Sequence, residues 1–456
     1  MRTPVRAIMT MAAILIGATS VSRARAEVLT ADRAVQLALQ NSSQSIGARA
    51  GVLEARGGVQ GAYAGVLPRL TAGVSRSGGQ TDNASGVTQF TSTIRFGSSS
   101  FHDYRYSTTP ALSGSWSVLN LASLTGLSAA KSNLRASEQT LNATRDDVAL
   151  ATRQSFYDVV KAIKLAEVSS SAVKLARDNE RRVRALFEVG SVSRSDLLRA
   201  QVNTAQSQLD SLVKHQGVLT ARVGLARQLG LAESQLGDVD TVLAVDTRDY
   251  DESALLAEAK QHRPDLRAAE LELKAARLSV RSAKFLRLPY VTATGFYDYK
   301  PTSDSKSIPR DSSGAALAPT TGHNESDRSF GGTLALNWNL FDGLSTDGQI
   351  SSARARLLRA EDTRDVLTRG LQGEVAQAIL GYRTAVEGVT EARSGLASAE
   401  ENLKLTQQKY NVGSATILDL IDAQVQLERA QSDLVSAEAA IRVAAAVVER
   451  VRGVQP

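Results

Sequence analysis

The residues best placed to do chemistry are acids and arginines at two similar turns. Asp419 and Asp422 lie three positions apart, on one face of one helical turn, with no basic residue between them. Repeated around the axis of a symmetric oligomer, such a pair would form an acidic ring, and acidic rings select cations in pores. A solvated tip without function is the other reading, and the spacing alone leaves both open. The corresponding stretch earlier in the chain has Asp196 followed by Arg199, where an acid and a base can pair. Both acids also have a local use. Asp196 follows Ser193 by three residues and Asp419 follows Thr416 by three, the spacing of a capping box with Asp in place of Glu or Gln.

These acids belong to a repeated motif. "FEVGSVSRSDLLRAQV" (187–202) and "YNVGSATILDLIDAQV" (410–425) agree at eight of sixteen positions. Gly190 and Gly413 end the preceding helices, where a left-handed residue is needed, and Ser193 and Thr416 cap the following ones. Each motif therefore reads as the tip of a helical hairpin, with the chain folding back twice at the same end. The repetition extends outwards: Ala38 matches Ala259, Leu67-Pro68 matches Leu288-Pro289, and Trp116 matches Trp338, at offsets of 221 to 223. This is a tandem duplication. The expected organisation is a first repeat over 27–231, a linker over 232–250 and a second repeat over 251–456.

Each repeat reads helix, strand, strand, long helix, turn, helix. The opening helices are expected at 31–66 and 251–287. "SGSWSVL" alternates Gly114, Trp116 and Val118 against Ser113, Ser115 and Ser117. "TLALNWNL" alternates Leu334, Leu336, Trp338 and Leu340 against Thr333, Ala335, Asn337 and Asn339. "RLTAGVS" and "YVTATGFYDY" alternate more weakly, giving four strands in all. Long polar loops are expected from Arg76 to Thr109 and from Lys300 to Asp327. Four strands cannot close a transmembrane barrel, so a membrane reading requires two, three or four chains to pool them. A soluble sheet packed on helices is the alternative.

Residues 127–188 and 345–411 read as uninterrupted helices, roughly 90–100 Å long at 1.5 Å per residue. Their partners, 195–229 and 416–453, carry heptads. Leu420, Leu427, Leu434, Ile441 and Val448 stand seven apart, with Ala423, Ala430, Ala437 and Ala444 on a second seam. Leu198, Val202, Ala205, Leu209, Leu212, Leu219, Val223 and Ala226 keep the same spacing in the first repeat.

Composition narrows the function. Residues 1–26 read as a secretory signal: Arg2 and Arg6, an apolar Ala7–Ala18 segment, and Ala24-Arg25-Ala26 at the cleavage site. The chain carries a formal +6, but without the signal 49 basic residues face 47 acidic ones, so no field argues for nucleic acid. There is no cysteine, hence no disulfide, thiolate metal site or acylated N-terminal Cys. His102, His215, His262 and His323 are scattered, and no metalloprotease, nucleophile-elbow or phosphate-loop motif occurs, so neither an enzyme nor a cofactor is expected.

The paired VGS…D tips, the two Leu-Pro strand starts, "LNWNLFDG" (336–343) and "HRPDL" (262–266) together resemble the TolC-like outer-membrane factor family. The resemblance implies a mainly α fold with β. Three chains would supply four strands each to a twelve-stranded outer-membrane barrel, continuous with a long α-helical coiled-coil barrel across the periplasm. It implies a belt built from 232–250 and the C-terminus. It implies a passive exit duct for efflux or type I secretion, served by a periplasmic adaptor and an inner-membrane ABC or proton-driven pump. In that family the inner tip closes like an iris. Asp419 and Asp422 match its entrance aspartates, and Tyr410 and Asp196 match its constriction network. The family's arginine is replaced by Ala415, leaving Arg194 or Arg199 to supply the charge. The absence of a lipid-anchor Cys leans toward the secretion-type members. A soluble periplasmic coiled-coil adaptor or scaffold is the rival reading.

Overall fold

The computed structural model describes residues 28–86, 98–243, 247–300, 303–309, 315, 318–324 and 326–453. The signal expected at 1–26 lies outside them. The elements run α1 (Ala31–Asn41), α2 (Ser43–Tyr63), β1 (Arg69–Gly86), β2 (Ser98–Leu119), α3 (Leu121–Glu188), α4 (Arg194–Leu229), α5 (Glu252–His262), α6 (Pro264–Phe285), β3 (Tyr290–Lys300), β4 (Ser303–Pro309), β5 (Thr320–Asn324), β6 (Asp327–Asn337), α7 (Ser345–Asn411) and α8 (Ile417–Arg452). The order repeats helix pair, strands, long helix, hairpin partner, as a duplicated chain must.

The described residues form two compact units. One draws on 28–38, 152–243 and 389–442, and the other on the described residues within 39–151, 247–388 and 443–453. The first holds both hairpin tips. There Val183 of α3, Ala200 of α4, and Ile417 and Leu420 of α8 make one buried cluster, with Leu403 and Tyr410 of α7 packed on it. The second holds the sheet and the helix segments that lead into it.

Three expectations are corrected. Each opening helix is two helices. Ser42 ends α1 and caps α2, accepting the Ser45 N–H at 3.2 Å. Arg263 separates α5 from α6, because Pro264 at the first helical position disfavours a helical residue before it. The polar stretches expected as loops are partly strand: β1 and β2 pair without interruption from Arg69↔Ser115 to Gly86↔Ser98. β4 and β5 likewise pair beyond Lys300. A backbone ladder needs no apolar side chain when both faces are hydrated.

The third correction concerns α4. Leu198, Val202, Leu209, Leu212, Leu219 and Val223 are between 51% and 70% exposed, so this stripe is not a seam within the chain. The residues α4 does bury are Ala200, Thr204, Leu225, Ala226 and Leu229. On α8, of the nine expected positions Leu420, Ala423, Ile441 and Val448 are buried, and Leu427, Ala430, Leu434, Ala437 and Ala444 are half-buried.

The sheet is antiparallel throughout. β1 pairs only with β2, β2 continues onto β3 and β4, β3 pairs with β6, and β4 pairs with β5. β4 continues β3 along β2, and β5 continues β6 in the same register, so the six strands form four rows, β1, β2, β3–β4 and β5–β6, with β1 and β5–β6 as edges. The sheet's large apolar side chains, among them Leu70, Val74, Phe330, Leu334 and Leu336, are exposed rather than packed on helices. No helix among the described residues is long and apolar enough to cross a membrane.

Candidate functional site: the two hairpin tips

Both tips are built alike. At the first, Gly190 has φ +71°, its N–H reaches the Phe187 carbonyl at 2.9 Å, and the Ser191 N–H reaches Leu186 at 2.8 Å. At the second, Gly413 has φ +76°, with Gly413 N–H to Tyr410 at 3.1 Å and Ser414 N–H to Lys409 at 2.9 Å. These paired bonds satisfy the last carbonyls of each long helix, and they require a residue that accepts the left-handed region.

The next helix starts on a reciprocal cap. Ser193 Oγ accepts the Asp196 N–H at 3.2 Å, while Asp196 Oδ2 accepts the Ser193 N–H at 3.2 Å and its hydroxyl at 2.7 Å. Thr416 and Asp419 repeat this, with the carboxylate accepting Thr416 N–H at 2.8 Å and Oγ1–H at 2.7 Å. The Thr416 backbone bond and then its hydroxyl bond hold the Asp419 carboxyl below its ordinary value.

The tips differ in what surrounds these caps. Asp422 Oδ2 accepts from an amide, Gln426 Nε2 at 2.8 Å, one helical turn on from the Asp419 carboxylate bonded to Thr416. The Asp196 carboxylate faces Ser193 rather than Arg199, so the anticipated pair is not made. The short Asp side chain is already committed to the helix start. Arg194 and Arg199 are exposed.

Tyr410 and Asp196 are brought close. Tyr410 packs on the apolar cluster and its hydroxyl is buried without a hydrogen-bond partner. Burial, then the Asp196 charge, push its phenol up, while Arg182 opposes them. Arg182 is a neighbour that sequence spacing did not single out. Nor did it single out two buried amides, Asn179 on α3 at 4% exposure and Gln424 on α8 at 7%, neither of which has a partner for its side-chain amide. Gln424 lies in the "AQV" that both tips share, a signal that was readable. Among the described residues no cluster of His, Cys, Asp and Glu could hold a metal.

A chain that combines an antiparallel sheet with an exposed apolar face and two long helical hairpins is of the class that forms ducts through an outer membrane. It belongs to the outer membrane efflux protein family, whose model matches residues 34–231 and again 255–454. This is a family of channel proteins, not enzymes, and it places the chain in the bacterial outer membrane. The chain is 23% identical to outer membrane protein TolC of Vibrio cholerae over 318 residues, 69% of this chain and 70% of that one. Among solved structures, the outer membrane protein VceC of Vibrio cholerae superposes with TM-score 0.73 at 19% identity, covering 93% of this chain and 96% of that one. The Campylobacter jejuni CmeC outer membrane channel does so with TM-score 0.75 at 17% identity, covering 93% and 85%.

Proposed function

We propose that three copies of this chain form one passive exit duct, through which a substrate leaves the periplasm for the exterior. The observation that carries this is the incompleteness of the single chain. Its sheet has four rows of strand, β1, β2, β3–β4 and β5–β6, and two open edges, and the apolar stripe of α4 is exposed. Because the four strands alternate in direction, β6 of one copy and β1 of the next run antiparallel, so copies can be added without breaking the pattern. Three copies give twelve strands, enough to close, and closure removes the edges that hydrocarbon does not tolerate. The α4 stripe then covers a neighbouring copy.

In this reading residues 1–26 are a removed signal, 27–231 and 251–456 are the two repeats, and 232–250 contribute to a belt in the periplasm. The second tip lines the periplasmic entrance, where Asp419 and Asp422 of three copies make an acidic ring. Tyr410, Asp196, Arg194 and Arg199 set how the tips close. A periplasmic adaptor and an inner-membrane ABC or proton-driven pump supply the substrate and the energy.

The test is single-channel conductance of the purified protein in a planar bilayer, against the Asp419→Asn, Asp422→Asn double variant. A small cation-selective conductance that loses selectivity in the variant supports both duct and ring. Unchanged selectivity keeps the duct and reduces the aspartates to caps. A protein that never inserts and elutes as a soluble rod overturns the reading in favour of an adaptor.

A further inference from the structure

Away from the tips, the last turns of α8 are held by a chain of charges. Arg450 donates to Asp147 Oδ1 of α3 at 3.0 Å and reaches Glu374 Oε2 of α7 at 3.5 Å. Glu374 also accepts from Arg263, whose guanidinium clasps Asp265 at the start of α6. Arg452 reaches Glu258 of α5, at 3.3 Å for one of its two bonds. Gly453 then passes so close to Arg263 that an added Cβ would stand 2.9 Å from that residue's backbone.

In this chain Asp147, Glu374 and Asp265 face Arg263 and Arg450, so acids already exceed bases by one. A further acid, Asp146 of α3, lies against it. Asp146 is 7% exposed and its Oδ1 has no hydrogen-bond partner. The charged groups acting on it are Asp147 from its own helix, Arg450 from α8 and Asp265 from α6. Glu374 of α7 and Arg263 stand one bond further on.

We propose that Asp146 is a buried proton-binding position through which pH sets how firmly the end of α8 is held to α3 and α7. Protonated, Asp146 is neutral and can donate. Ionised, it is a second uncompensated charge in the cluster, and it competes with Asp147 and Glu374 for Arg450. The carboxyl is pushed up to about 6 by burial first and then by Asp147, against the pull of Arg450. A raised acid retains in the folded protein a proton that the unfolded chain has lost. Stability is therefore full below the ordinary Asp range, falls as pH rises toward 6, and is level above it. Two pH units correspond to about a hundredfold in the equilibrium.

The experiment is hydrogen exchange of the full-length protein in detergent, followed as protection factors for residues 443–452 from pH 4.5 to 7.5. In wild type, protection is expected to fall about thirtyfold between these two pH values, the rest of the hundredfold lying below pH 4.5. In Asp146→Asn it is expected to stay at the low-pH level throughout. Asp147→Asn is expected to lower protection at every pH, because it removes a partner of Arg450. The same decline in Asp146→Asn as in wild type, or lower protection of that variant at pH 7.5, overturns the proposal. Infrared titration of the wild-type protein with isotope-labelled aspartate carboxyls, which sets Glu428 and the other glutamates aside, needs no variant: a protonated-aspartate band that persists at pH 5 and disappears by pH 7 supports it. A band already absent at pH 5 overturns it.

Discussion

Trp116 and Trp338, 222 positions apart, make the same hydrogen bond. Trp116 donates its indole N–H to the Val66 carbonyl at 2.9 Å, and Trp338 donates to Arg287 at 3.1 Å. Each acceptor immediately precedes a Leu-Pro that starts a strand. The duplication has kept a tie between the last strand of each repeat and the entrance to its first.

Trp116→Phe and Trp338→Phe each keep an aromatic ring, though a smaller one, and remove the donor. Each is expected to cost about 1 kcal/mol, and the double variant about the sum, because the sites are separate. Thermal unfolding in detergent measures both. Strong non-additivity would mean that the two ties act as one.

Gly190→Ala and Gly413→Ala place a side chain in the left-handed region, where a new Cβ meets nothing within 4 Å. Strain alone should cost each about 1 kcal/mol, and Asn should cost less. Gly453→Ala should cost more, because its φ of +72° is joined by the clash with the Arg263 backbone. Comparing the three melting temperatures separates strain from contact.

Leu212→Asp with Leu219→Asp puts charge on the exposed stripe of α4 without touching the chain's own core. Sedimentation is expected to show loss of the proposed trimer, with helix content unchanged by circular dichroism. A trimer that survives would show that the stripe is not the contact between copies.

Arg263→Ala should cost about 3 kcal/mol or more, since it leaves Asp265 and Glu374 facing each other without their shared cation. Arg263→Lys keeps the charge but not the fork that holds two carboxylates, and should fall between. Chemical denaturation gives the order, and a lysine variant as stable as wild type would reduce the cluster to simple charge balance.

The long helices were legible, α7 to the residue and α3 at its end, although α3 starts at Leu121 rather than at the expected 127. The expected 345–411 is the extent of α7, because a periodic run without proline has few alternatives to helix. The break at Arg263 was also written in the sequence, by Pro264, but an uninterrupted helix across it gave a simpler reading. The outer parts of β1 and β2 were not legible, since Ser, Thr and Gly pair through their backbones and leave no alternation to detect. Heptad spacing in α4 showed that an apolar face exists but not which chain covers it. At the tips, capping residues are neighbours in sequence and could be read. The Asp146 environment could not, because Arg450 lies 304 positions away and meets it only through the packing of three helices.

The two open edges of the sheet have a genetic consequence. Where three copies share one barrel, no copy can insert by itself, and a defective copy spoils the good ones it joins. If half the chains in a cell carry a substitution that blocks edge pairing, only about one trimer in eight escapes it, so such alleles should act dominantly. A variant that damages only a tip turn leaves the barrel closed and should be tolerated in a mixed assembly. The class of inheritance would thus report which part of the chain a mutation has struck.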